Sequence, residues 1–162
     1  MKRKTEAFPR ALQPKTSAAT LSLATISSTV ILASITHASQ FGYRAFIGGL
    51  IIIVLLCGTN LLYLRTRNKV VLMVYGLLTA WVAIGFGLVN GFWNHSFKVF
   101  IYYLHNGSLP PFLAKLFMTP NVESPLMEGA GILTFVMSLS AAYYGYKFMK
   151  EGRYHGKSYP VQ

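Results

Sequence analysis

The side chains of this sequence that could do chemistry are few, and most of them flank apolar runs. His95, His105 and Glu128 are the groups best suited to hold a metal ion, with His37 as a further contributor. Histidine is the commonest metal ligand in proteins, and carboxylates complete many such sites. A metal or haem site built from these residues is therefore one hypothesis for the chemistry of the chain.

The spacing of these residues does not by itself favour that hypothesis. Ten residues of straight helix separate His95 from His105 by about 1000°, so their side chains point about 80° apart around the helix. The sequence also has no His-x-x-x-His or His-Glu-x-x-His motif. The alternative is that the histidines bond to water, headgroups or backbone. Glu128 has a structural explanation too, since Ser124-Pro125 resembles a helix start, and a carboxylate in the first turn is favoured by the helix dipole.

No catalytic residue can be assigned from the sequence. The chain has no Gly-x-Ser-x-Gly motif, no phosphate-binding loop and no paired carboxylates placed for acid–base work. Its single cysteine, Cys57, excludes an intramolecular disulfide. We therefore expect no enzymatic activity from this chain alone and predict no resident cofactor beyond the metal or haem hypothesis.

The elements that must position these residues are membrane helices. Only 12% of the residues are charged and 53% are hydrophobic, whereas soluble domains are about 25% charged. Three uncharged apolar runs approach the ~20 residues that cross a bilayer, and a fourth run is rich in Ser and Thr. We predict an all-α integral membrane protein of four transmembrane helices, or three if the first run is a cleaved signal peptide. The predicted spans cover residues 17–38, 45–64, 70–93 and 125–148.

The basic residues predict the orientation of these spans. With the N-terminal tail inside, twelve of the fifteen Lys and Arg residues fall on the inner side. The predicted tails at 1–16 and 150–162 are then both cytoplasmic, and we expect a bacterial or archaeal cell membrane. Because the basic residues flank the spans instead of forming one patch, the net charge of +11 does not indicate a nucleic-acid partner.

The segment 94–124 is then the longest connection on the outer side, and it is not polar. Four apolar residues within it share one helical face, with Lys98 and His105 off that face: Phe97, Phe100, Ile101 and Leu104. Two interpretations stay open. The segment forms amphipathic helices in the membrane interface, with aromatic rings at headgroup level, or it folds against the bundle as a cap.

Small residues predict where the spans pack against each other, because close backbone approach drives helix association in lipid. Residues spaced by four occur on the third and fourth spans: Ala83, Gly87, Gly91, and Thr134, Ser138, Ala142. We expect these two stripes to form helix–helix contacts, within the chain or toward a partner.

The functional hypothesis that follows is a non-catalytic subunit or an accessory or assembly factor. Its partners would be the lipid bilayer and other membrane subunits of a larger complex, of respiratory or metallo-oxygenase type. Two alternatives stay open. One is a metal- or haem-binding membrane protein that uses the outer histidines, and the other is a passive oligomeric channel or small-molecule carrier.

Overall fold

A computed structural model describes residues 16–155 and shows an all-α, multi-span membrane protein. Within the described residues, four helices are long and apolar enough to cross a bilayer: Ala18–Phe41, Tyr43–Thr66, Lys69–Leu104 and Pro125–Gly152. The complete elements are α1 (Thr16–Phe41), α2 (Tyr43–Thr66), α3 (Lys69–Val82), a π-helical segment (Ala83–Phe97), α4 (Lys98–Leu104), α5 (Pro111–Ala114) and α6 (Pro125–His155). Nearly all of the predicted tail at 1–16 lies outside the described residues. The first residues of the tail predicted at 150–162 continue α6 to His155.

A single residue, Gly42, connects α1 to α2. Its φ of 55° lies in the left-handed region, which glycine enters without a steric penalty. The amide of Gly42 donates to the Ala38 carbonyl at 2.9 Å, so the α1 end is closed before the chain reverses. The helices therefore extend to Phe41 and from Tyr43, beyond the span limits that the sequence predicts.

A second tight connection joins α2 to α3 and leaves the two helices antiparallel. Arg67 adopts a left-handed φ of 54°, and its amide donates to the Tyr63 carbonyl, which ends α2. The side chain of Asn68 then accepts a hydrogen bond from the Val70 amide at 2.8 Å and caps the start of α3.

The third long helix differs from the predicted span in length and in winding. It continues without a break to Leu104, 36 residues in all, and residues 83–97 are π-helical. In keeping with the wider turn, the Ser96 hydroxyl donates to the Gly91 carbonyl five residues earlier.

Helices α1 and α6 pack along each other most extensively, and the π segment packs against α6. The packing is close enough that a Cβ atom on Gly91 would lie 2.6 Å from the Phe135 amide nitrogen, and one on Gly87 would collide with Ser138. Because α1 supplies much of the buried core, including fully buried Ile26 and Val30, the bundle contains the first helix as a structural member.

The predicted packing stripes are distributed as follows. Gly87, Gly91, Thr134 and Ser138 are buried, Ala83 is half-buried, and Ala142 is exposed. On α6 the packed face continues to Ala141 and Gly145, because steps of four residues rotate by about 40° around a helix, and Ala142 has turned away from the partner helix.

Candidate functional site

A cluster of ionisable side chains lies inside the protein where α1, the π segment, α4 and α6 meet. We call this the cap end of the bundle, and residues 98–124, which cover it, the cap. Glu128 lies in the first turn of α6, His95 in the last turn of the π segment, and Lys98 at the start of α4. All three are almost fully buried, with exposed fractions of 5%, 1% and 0%. Buried ionisable groups in a membrane protein mark a functional or structural site because burial of charge costs free energy.

Glu128 is the centre of the cluster. Its Oε2 lies 2.8 Å from Nδ1 of His95, and its Oε1 lies 2.9 Å from Nζ of Lys98. Oε1 also accepts a hydrogen bond from the Glu123 amide at 2.8 Å. Both carboxylate oxygens are therefore in use, and the carboxylate joins the third long helix, the loop before α6, and α6 itself.

The ammonium group of Lys98 is likewise fully hydrogen-bonded. Besides Glu128, its ammonium group donates to Oγ1 of Thr119 at 2.9 Å and to the Asn121 carbonyl at 3.1 Å. An ammonium group has three protons, and here each has an acceptor. Full pairing of this kind is what allows a charged side chain to be completely buried.

Amides on the π segment extend the polar network in both directions. The Asn94 side-chain oxygen accepts from the amides of Met118 at 2.8 Å and Thr119 at 3.4 Å, which holds the cap loop. One turn earlier, Asn90 donates to Oγ1 of Thr36 on α1 at 2.9 Å. The network therefore links α1 to the cap through the π segment.

Aromatic rings close the cluster on its outer flank. The Trp93 indole N–H donates to the Leu116 carbonyl at 3.2 Å, and its ring stacks on Phe97 and packs against Phe117, with centroids 5.0 and 5.5 Å away. Residues 116–121 thus fold back onto the π segment. Of the two interpretations of the outer segment, these contacts support a cap that folds against the bundle.

The structure brings together two of the predicted ligands and separates the others. His95 and Glu128 are in contact. His105 is exposed at the end of α4 and lies outside the cluster, and His37 lies on α1, where its Nδ1 is 2.7 Å from the Ala33 carbonyl.

Two members of the cluster, Lys98 and Glu123, were not anticipated as site residues. The sequence pattern placed Lys98 off the apolar face of its helix, yet Lys98 and Ile101 form the buried face, whereas Phe100 and Leu104 are exposed. The ion pair with Glu128 reverses the expected pattern. The only available signal was that Lys98, five residues beyond the third predicted span, and Glu128, in the first turn of the fourth, lie on the same predicted side.

The geometry of the cluster is compatible with a metal ion. His95, Glu123 and Glu128 each offer a ligand atom, and these atoms lie within 4.8 Å of one another. The two carboxylates and one imidazole form a donor set that suits divalent transition metals. The positive charge that faces Glu128 in the structure is that of Lys98, so a bound cation would have to compete with an ammonium group already in contact.

No family model matches this chain, and no curated protein or solved structure matches it.

Proposed function

We propose that this protein is a non-catalytic subunit or assembly factor of a larger membrane complex, and that it docks its partner through the cap. The observation that supports this proposal is the division of the cap into a polar side and an apolar side. Lys98 of the cap pairs with Glu128 of α6 inside the protein, whereas many of the side chains that the cap exposes are aromatic or aliphatic.

The length of the third long helix indicates where α4 lies relative to the membrane. The helix Lys69–Leu104 has 36 residues, up to about 54 Å at the α-helical rise. Even with a tilt of about 40° it would rise about 41 Å, beyond the ~30 Å hydrocarbon core. Because α4 continues this helix, it follows the axis of the span and does not lie flat in the membrane plane. We place the excess length at the α4 end, which puts its exposed side chains at the headgroup level or beyond.

The side chains exposed there are large and apolar. Tyr103 and Phe112 are each 73% exposed, and four further large apolar side chains of the cap are also exposed: Phe100, Leu104, Leu116 and Met118. We propose that they form one patch, since large apolar patches that water can reach mark interaction sites. We propose a protein partner with an apolar outer surface of its own, in a cell membrane that leaves both termini of this chain cytoplasmic.

Native membranes test this proposal directly. We expect the C-terminally tagged chain, extracted in mild detergent, to migrate with partner subunits and not as an 18.0 kDa monomer. The variant Tyr103→Ala/Phe112→Ala should lose the partner. The matched control Leu50→Ala/Leu61→Ala removes two large exposed apolar side chains of α2 and should retain the partner. A monomer in the unmodified protein, or equal partner recovery in both variants, would contradict the proposal.

A second candidate function, metal binding, is favoured by one observation: the ligand atoms of His95, Glu123 and Glu128 lie within 4.8 Å. Elemental analysis of the protein purified without chelator would then give about one transition-metal ion per chain. Glu123→Gln should remove it, and Glu151→Gln, which lies outside the cluster, should not. Metal far below one ion per chain, or unchanged metal in Glu123→Gln, would exclude this function.

A further inference from the structure

A pocket of about 270 Å³ lies between the end of α1 and the start of α2, separate from the charged cluster. Phe86 of the π segment forms its third side. The wall contributed by α2 is unusually flat, because Ala45, Gly48 and Gly49 carry little or no side chain. An apolar cavity of about 150 Å³ holds a benzene molecule, so this pocket has room for several carbon atoms of an acyl chain.

The aromatic side of the pocket is held rigidly by His37. A carbonyl oxygen can only accept a hydrogen bond, so the contact of 2.7 Å to the Ala33 carbonyl places a proton on Nδ1 of His37. The imidazole stacks with Phe41 at 6.1 Å and meets the edge of Phe86 at 5.8 Å between ring centroids. These contacts fix the ring in place, and the lining is apolar except for a few polar atoms.

One charged residue, Arg44, lines the pocket. It is exposed, and it makes no hydrogen bond or ion pair with any side chain in the described part of the chain, whereas Lys98 at the same end of the bundle is fully paired. A guanidinium group forms two parallel hydrogen bonds with phosphate oxygens. Arg44 therefore supplies an unneutralised positive charge next to an apolar pocket at the end of a membrane span.

We propose that this pocket is a binding site for one anionic phospholipid. The phosphate group binds Arg44, and the adjoining part of one acyl chain occupies the space along Ala45 and Gly48, against Phe86. The bilayer is the source of the ligand, because the apolar walls require an acyl chain as well as the charged head. This inference is independent of the proposed docking of the cap.

Two pairs of variants of the full-length protein test the site. Arg44→Gln removes the charge without breaking a contact, and Gly48→Leu fills the pocket, since a Cβ atom there meets nothing within 4 Å. Arg65→Gln and Gly58→Leu are the matched controls at positions of α2 outside the pocket, and Gly58 is equally unobstructed. Native mass spectrometry of the purified protein would be titrated with dioleoylphosphatidylglycerol, dioleoylphosphatidylcholine and inorganic phosphate.

We expect saturable binding of one phosphatidylglycerol per chain, with weaker binding of phosphatidylcholine and of inorganic phosphate. Arg44→Gln should raise the Kd for phosphatidylglycerol by about tenfold or more, the worth of a hydrogen bond to a charged group. Gly48→Leu should raise it by at least as much, and both controls should stay within about twofold of the unmodified protein. Equal binding in all five proteins, equal affinity for phosphatidylcholine, or binding of inorganic phosphate as tight as that of the lipid would overturn the proposal. Thermal unfolding of Gly48→Leu and Gly58→Leu separates a blocked pocket from a damaged fold.

Discussion

Replacement of Lys98 by methionine should strongly destabilise the protein, although methionine is apolar and of similar length. Lys98→Met leaves Glu128 buried, with 5% of its surface exposed, and without its nearest counter-charge. Removal of one partner of a buried ion pair costs about 3–5 kcal/mol. The carboxylate retains His95 and the Glu123 amide as partners, so we expect a loss near the lower limit, about 3 kcal/mol.

A double-mutant cycle separates this charge effect from a simple loss of packing. Glu128→Gln should also destabilise, since it leaves the fully buried ammonium group without a carboxylate. The double variant Lys98→Met/Glu128→Gln removes both charges, so its loss should be smaller than the sum of the single losses by at least about 1 kcal/mol, because residues in direct contact couple. The free energy of unfolding would be measured by SDS titration in detergent micelles, with Lys115→Met, an exposed lysine of the cap, as the control. Additive losses, or a loss below 1 kcal/mol for Lys98→Met, would refute the reasoning.

Three further predictions concern the backbone and the orientation of the chain. Gly91→Ala should destabilise the bundle by about 1–3 kcal/mol, because the new Cβ atom meets the α6 backbone, whereas Gly85→Ala has open space and should be neutral or stabilising in the same titration. Gly42→Ala should lower the free energy of unfolding by about 1–2 kcal/mol, because a φ of 55° is unfavourable for alanine. The same SDS titration would measure this loss. In the variant Ser108→Cys/Cys57→Ser, the new cysteine should react with an impermeant maleimide added outside intact cells. If this cysteine does not react, the predicted orientation of the chain is wrong.

The helices could be predicted from the sequence because lipid imposes one simple requirement. An uncharged run near 20 residues must span the bilayer with its backbone bonded internally, and this requirement located α2, α3 and α6. Helix ends were less predictable. The predicted spans left residues 39–44 as the connection, but a single glycine with positive φ is sufficient to reverse the chain.

The arrangement of the site could be predicted only in part. Residue type predicts His95, His105 and Glu128 as metal ligands, and of these Nδ1 of His95 and Oε2 of Glu128 are 2.8 Å apart. Lys98 was not recognised, because its partner lies 30 positions away and local periodicity carries no information about such a pair. The π winding of residues 83–97 was equally hidden, since an apolar, glycine-rich run gives the same composition for either helix type.

The one-residue connection at Gly42 also constrains how the protein enters the bilayer. Because only one residue separates α1 and α2, they cannot move apart at this end unless a helix end unwinds. We therefore expect the two helices to enter lipid together, as a closed hairpin. The Ser- and Thr-rich first helix is the least hydrophobic of the first three spans, and α2 is the most hydrophobic. The first helix would then gain its stability in lipid from α2.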